Sequence, residues 1–276
     1  MKALKAILII LLIIVLAAAG AACYALFLEP HRVTTEDMDI SDSEIHKDMT
    51  IAVFADTHFA AGNYTMDDFS KAAAEIKKTN ADMILFLGDL YDNYDSYHDN
   101  QSQVISAFSS LEAPLGKYAV FGNHDYGGGA ENHYAGIMRS AGFKVLKNRS
   151  VSFSDYNVNL TGIDDCLIGY GDTSCADSLA PSSYNIVICH EPDIINKMSS
   201  SPVDLMISGH THGGQVRLPF YENRFLPSLG KKYVSGKYDI SNSAKTTLYV
   251  NRGLGTTHME VRFMSVPEVT LIKLSS

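Results

Sequence analysis

Five short apolar runs each end in side chains able to bind a metal. Residues 50–55 lead into Asp56-Thr57-His58, and residues 83–87 into Gly88-Asp89-Leu90-Tyr91-Asp92. Residues 117–121 lead into Gly122-Asn123-His124-Asp125. Residues 184–189 meet His190, and residues 203–208 meet Gly209-His210-Thr211-His212-Gly213-Gly214-Gln215. Neutral imidazole, carboxylate and amide oxygen together suit borderline divalent ions such as Mn, Fe or Zn. Taken singly, most of these motifs are ordinary. Asp-x-His is common in solvated loops, Gly-Asp after a strand is a usual turn, and a lone histidine is more often a satisfied core residue. Two histidines at i and i+2 in a glycine-bounded turn are less ordinary. All five motifs in this order, each at the end of an apolar run, are hard to produce by chance.

The runs have the length and content of buried strands. Between the first of them lie helical patterns. Thr65 and Asp68 form a capping-box signal that opens a helix over residues 66–79. Residues 101–111 read as a second helix, and residues 130–141 as a third that stops at Gly142, a usual left-handed cap. Residues 151–153, 158–162, 245–251 and 268–274 add strand candidates, and 33–40 a candidate edge strand. The chain thus begins as strand–helix alternation and becomes richer in strands. This predicts an α/β protein with two stacked sheets flanked by helices. Sites in open α/β sheets form at the carboxyl ends of strands, so the five loops are expected to gather at one sheet edge.

This ordered set resembles the calcineurin-like metallophosphoesterase superfamily, from about residue 50 to the end. Residues 209–219, with Asn251-Arg252-Gly253-Leu254-Gly255 and Pro267-Glu268-Val269-Thr270-Leu271, are similar to a branch of membrane-anchored or exported bacterial members. Some members of that branch are associated with phospholipid or lipid-sugar phosphate substrates. The resemblance implies a four-layer sandwich of two mixed β-sheets flanked by helices. It also implies a metal-dependent hydrolase of phosphomono- or phosphodiesters that uses a metal-bridging hydroxide at a binuclear site. Carried over by motif, Asp56, His58, Asp89 and His212 would hold one divalent ion. Asp89, Asn123, His190 and His210 would hold the other, with Asp89 bridging. His124 would face the phosphate, oriented by Asp92. Thr257-His258-Met259-Glu260 departs from the branch, where a more apolar, proline-containing loop is expected. The rival readings are a non-catalytic phosphate- or lipid-headgroup-binding protein, which a missing ligand would favour, and a nuclease. No ligand is missing.

Composition narrows the choice. The 276 residues are 46% hydrophobic, too apolar for a disordered chain. Asp and Glu number 31 against 22 Lys and Arg, a net −9 that argues against a long nucleic-acid substrate. Lys231, Lys232 and Lys237 make a modest basic patch that could meet anionic headgroups, or be an ordinary solvated loop. Residues 6–28 carry no charge; as a helix they span roughly 35 Å, enough to cross a bilayer core. Lys2 and Lys5 precede the run and acidic residues follow it, so the amino terminus is expected in the cytoplasm. A cleaved signal peptide is the rival, because residues 17–22 are small. The apolar Tyr24-Ala25-Leu26-Phe27-Leu28 favours an uncleaved anchor. The expected organisation is an anchor over 1–28, a short linker with a possible edge strand over 29–48, and a metallophosphoesterase domain over 49–276. The protein would be single-pass in the cell membrane, with its catalytic domain on the extracytoplasmic side. Cys166 and Cys175 could close a short disulfide loop or stay free, and Cys189 reads as a buried small hydrophobe. Tyr91, Tyr94, Tyr97 and Tyr126 could wall an entrance for an acylated or aromatic substrate, or simply pack at the surface.

Overall fold

The computed structural model describes residues 2–59, 64–218 and 226–276, and of Tyr97 only the backbone. Two six-stranded mixed sheets stack face to face. The first contains β1 (Thr34–Ser41), β2 (Met49–Phe54), β3 (Met83–Phe86), β4 (Lys117–Ala119), β5 (Phe143–Val145) and β12 (Glu268–Ser275). Their spatial order is β1-β12-β2-β3-β4-β5. β2 to β5 run parallel, β12 lies antiparallel to β2, and β1 pairs parallel with β12 at the sheet edge. The second sheet contains β6 (Arg149–Phe153), β7 (Val158–Gly162), β8 (Tyr184–Ile188), β9 (Leu205–Ser208), β10 (Gly236–Asp239) and β11 (Thr247–Val250). It is ordered β10-β11-β9-β8-β7-β6, with β7, β8, β9 and β11 parallel.

The apolar content of the central strands follows from burial on both faces. Ile51 and Val53 of β2 join the core between the sheets, while Ala52 and Phe54 face the helices. That is the period-two alternation of a strand. Helices α2 (Met66–Lys78), α4 (Gln101–Ser109) and α6 (Tyr134–Ser140) cover the first sheet, with Phe69, Phe108, Tyr134 and Ile137 in the same core. Over the second sheet, Ile194 and Ile195 of the 3₁₀ segment Pro192–Lys197 pack on Val187, Met206, Leu248 and Val250.

The capping box of α2 is present: Thr65 Oγ1 accepts from the Asp68 N–H, and the Asp68 carboxylate accepts from the Thr65 N–H. Two short helices, α3 (Tyr94–Tyr97) and α5 (Asn123–Gly127), follow β3 and β4. The third sequence-predicted helix begins later than expected, at Tyr134, because residues 130–133 form a turn.

The amino-terminal helix α1 (Lys2–Phe27) has a mean hydropathy of 3.0 across its apolar window and is long enough to cross a membrane. Its side chains are exposed except near the end, where the chain is tied to the domain. The Ala25 carbonyl accepts from the Arg262 N–H at 3.1 Å. The buried Glu29 carboxylate accepts from the N–H groups of Met264 (3.0 Å) and Ser265 (2.5 Å).

Candidate active site

The structure brings all five motif loops together, but not at one sheet edge as the sequence suggested. β2, β3 and β4 belong to the first sheet, while β8 and β9 belong to the second. The carboxyl ends of both parallel sets meet across the sandwich, so the site straddles two sheets.

Asp56, His58 and His212 form one group with donor atoms within 4.8 Å of one another, and Asp89, His190 and His210 form a second. Asp89 joins the two. Its Oδ2 lies 3.3 Å from His58 Nε2 and 3.1 Å from His190 Nε2. Its Oδ1 accepts from the His124 N–H at 2.8 Å. His58 Nε2 and His212 Nε2 stand 3.1 Å apart. Each imidazole of the second sheet is oriented by a main-chain carbonyl at its other nitrogen. Leu87 O is 2.7 Å from His190 Nδ1, Ser228 O is 2.9 Å from His210 Nε2, and Gly255 O is 3.2 Å from His212 Nδ1. Such contacts fix the tautomer and aim the free nitrogen.

The local backbone is strained where these side chains turn inward. Asp56, His58, Asp89, His210 and His212 all have φ between 42° and 75°, five of the seven expected ligands. The left-handed region costs a non-glycine residue roughly 1–3 kcal/mol and persists only where the surroundings over-determine it. Gly122 is needed for close approach, since a Cβ there would collide with Asp89 Oδ1.

Two buried atoms test whether the donors suit a metal. Asn123 Oδ1 has no hydrogen-bond donor, and His190 Nε2 has no partner in hydrogen-bond geometry despite its nearness to Asp89. Buried polar groups of this kind normally find a partner. An all-nitrogen-and-oxygen set with two such orphans fits borderline divalent ions. Electrostatics agree. Burial opposes charge on His58, yet its contacts with Asp89 and Asp92 overcome this and hold its pKa up at about 9. His190 is likewise held well above its ordinary value against burial, chiefly by Asp89. Burial and the nearby His190 push His210 down to about 3. The carboxylates therefore draw positive charge into the site, a demand that divalent ions would meet.

His124 sits at the rim, 22% exposed, with its Nδ1 3.1 Å from the Asp92 carbonyl and 3.3 Å from Asp92 Oδ1. Asp92 Oδ1 also contacts His58 Nδ1 at 3.1 Å and accepts from Thr257 Oγ1 at 3.1 Å. Asp92 thus orients two imidazoles rather than one. Above the cluster opens a cavity of about 690 Å³, walled on its apolar side by Leu167, Val216, Leu218, Pro227 and Met259. The tyrosine entrance is corrected here: Tyr91 and Tyr94 are buried in the helix-side core, and Tyr126 packs on Phe121. The side chain of Tyr97 lies outside the described residues.

Sequence reasoning missed two participants. The fully buried Asp125 carboxylate accepts from the N–H groups of Asp89, Leu90 and Gly122, stapling two motif loops together. The Asn-His-Asp string contained it, but nothing marked it as structural. Arg262 is also fully buried and donates to the carbonyls of Gly255, Ser265 and Arg252, which supports the oxygen that orients His212. No signal in the sequence singled it out. His258 lines the cavity, 6.3 Å between ring centres from His124. The Cys166–Cys175 pairing is not formed; all four cysteines are free thiols, and Cys166 faces Cys189 instead.

Two stacked mixed sheets with an Asp/His/Asn cluster at their strand ends define a metal-dependent phosphoesterase. The chain belongs to the calcineurin-like phosphoesterase family, whose model matches residues 49–214. It is a metallophosphoesterase of the class that uses two divalent metal ions. It is 37% identical to YkuE of Bacillus subtilis, an uncharacterized metallophosphoesterase, over 93% of this chain and 91% of that protein. It is 33% identical to the phosphodiesterase YaeI of Escherichia coli over 81% of each chain. It is 26% identical to the UDP-2,3-diacylglucosamine pyrophosphatase LpxG of Chlamydia muridarum, over 91% of this chain and 92% of that one.

Proposed function

We propose that this metallophosphoesterase hydrolyses the phosphate ester or anhydride of a lipid-linked or membrane-associated substrate. The observation that carries this reading is the apolar wall over the cluster, together with its attachment. The segment 257–265 supplies Thr257, His258 and Met259 to the cavity, bonds Ala25 of α1 through Arg262, and bonds Glu29 just beyond α1 through Met264 and Ser265. An acyl chain has an apolar surface to lie on, and the cavity opens within one loop of the apolar helix. The relative acting on a diacylated sugar nucleotide supports the same substrate class.

In this reading residues 1–28 anchor the chain, 29–48 connect it, and 49–276 form the catalytic domain on the extracytoplasmic side. Asp56, His58, Asp89 and His212 hold one ion; Asp89, Asn123, His190 and His210 hold the second. Bound there, two divalent ions supply Lewis-acid charge to the phosphoryl group and a lowered pKa for water. The protein's own part is positional. Asp89 fixes the spacing of the two halves, and the carbonyls of Leu87, Ser228 and Gly255 hold the imidazoles in one tautomer. His124 presents Nε2 toward the cavity and donates a proton to the leaving oxygen, with Asp92 holding its Nδ1.

The test uses the full chain, purified in detergent without chelator. Turnover of p-nitrophenyl phosphate, bis-p-nitrophenyl phosphate and a diacyl phosphoanhydride in mixed micelles is compared, with Mn²⁺ or EDTA, beside Asp89→Asn. Metal-dependent turnover that is at least about tenfold greater on the micellar compound, and lost in the variant, is the expected result. Equal turnover on soluble and micellar compounds would sink the lipid-linked reading and leave a general phosphoesterase. Two bound ions without turnover on any compound would favour a non-catalytic headgroup-binding protein.

A further inference from the structure

Behind His190, away from the cavity, two thiols and a carboxylate converge. Cys166 lies in the loop after β7, Cys189 directly follows β8, and Glu191 is the next residue but one. Cys189 and Glu191 are fully buried, and the two sulfurs and a Glu191 oxygen lie within 4.8 Å of one another. Cys189 Sγ is 3.4 Å from Glu191 Oε2. The main-chain oxygen of Asp164 approaches the same point, 3.6 Å from Cys166 Sγ and 3.9 Å from Cys189 Sγ.

These three sulfur–oxygen distances are close to those of a tetrahedral zinc site. Zn–S bonds of about 2.3 Å and Zn–O bonds of about 2.0–2.2 Å place sulfur and oxygen ligands roughly 3.5 Å apart. Glu191 Oε2, the oxygen beside the sulfurs, also accepts from the Cys166 N–H at 3.1 Å, and the Glu191 and Asp165 carboxyl groups hydrogen-bond to each other through their remaining oxygens. The Asp165 Oδ2 already accepts from the N–H groups of Ile168 and Gly169, which leaves its other oxygen turned inward.

We propose that Cys166, Cys189, Glu191 and the Asp164 carbonyl form a third metal site, of the zinc–thiolate kind, separate from the pair of ions at the strand ends. Thiolate ligands select zinc over the harder ions that nitrogen and oxygen sets accept. Each thiol releases its proton to solvent as the ion binds. The site is closed by four protein ligands and is structural rather than catalytic. It clamps the loop after β7, which carries Leu167 of the cavity wall, to the strand end that carries His190.

The test is the spectrum of the full chain stripped of metal and reloaded with Co²⁺. Sulfur ligation produces an intense thiolate-to-cobalt band in the near ultraviolet that nitrogen and oxygen ligands do not. The band is expected in the native chain and in Asp89→Asn; it is expected to be abolished when zinc is added back, and to be absent from Cys166→Ser/Cys189→Ser. Because the band depends on sulfur alone, its fate is independent of whether the binuclear assignment or the substrate reading holds. If the double variant fails to fold, alkylation of the native chain decides: zinc protects two thiols from a reagent that otherwise modifies them. Absence of the band, its persistence in the double variant, lack of protection, or a Cys166–Cys189 disulfide found before any reductant is added would each overturn the proposal.

Discussion

The loops of the first sheet bring Asp56, Asp89 and Asp92 to the cluster, along with Asn123, His58 and His124. Among the described residues, the second sheet brings His190, His210 and His212. Of the described residues of the cluster, the first sheet supplies the three carboxylates and the second supplies three imidazoles. The two are held differently as well. Carboxylates of the first sheet are fixed by main-chain N–H groups, as Asp89 by His124 and Asp56 by His210. Imidazoles of the second are fixed by main-chain carbonyls. Main-chain donors aim the carboxylates and main-chain acceptors aim the imidazoles, so each half is held in the orientation a cation requires before one binds. The difference teaches that neither sheet alone makes a site. Charge on one side without neutral ligands on the other would simply be a buried acidic cluster, costly to maintain.

That division of labour can be broken from the charged side first. Asp89→Asn removes the one carboxylate shared by both groups, and turnover is expected to fall below detection with fewer than two ions retained by elemental analysis. Full activity in that variant would end the two-group description. His124→Ala lies outside both groups; kcat is expected to fall about 10²-fold or more while both ions stay bound. Loss of metal there would instead make His124 a ligand. Asp92→Asn keeps the shape but weakens the hold on two imidazoles, and a smaller loss, roughly 10–100-fold in activity or metal affinity, is expected.

The smallest effect sharpens the comparison through pH. In the metal-free protein His58 keeps its proton up to about pH 9, because Asp89 and Asp92 offset the cost of burial. A metal must displace that proton, so affinity should weaken by up to about tenfold per pH unit as the pH falls below about 9. The sign follows from the raised pKa: lower pH favours the protonated, metal-free form. Isothermal titration in two buffers of different ionisation enthalpy would report the released proton. Binding without proton release at neutral pH, or the reverse pH trend, would show that His58 does not hold the displaced proton.

Much of this was legible in the chain. The strands were readable because burial on both faces demands unbroken apolar runs, as in Met83–Phe86 and Tyr184–Ile188. The candidate ligands stood out because five individually ordinary motifs recur in order, each at the end of such a run. Arg262 and Asp125 were not readable, since each acts through main-chain atoms that only come near after folding. The tyrosines misled for a related reason: next to a motif in sequence, Tyr91 and Tyr94 turn away from it into the core.

By itself the sequence determined which elements form, which residues can hold metal, and that a 23-residue uncharged run precedes the domain. Those properties are local, set by periodicity, side-chain chemistry and length. Tertiary structure decided that the five loops come from two sheets, that five of the seven expected ligands adopt left-handed backbone, and that Cys166 meets Cys189 rather than Cys175. These depend on how strand ends align when two sheets stack, a relation between residues as far apart as Asp56 and His210 that no local pattern encodes.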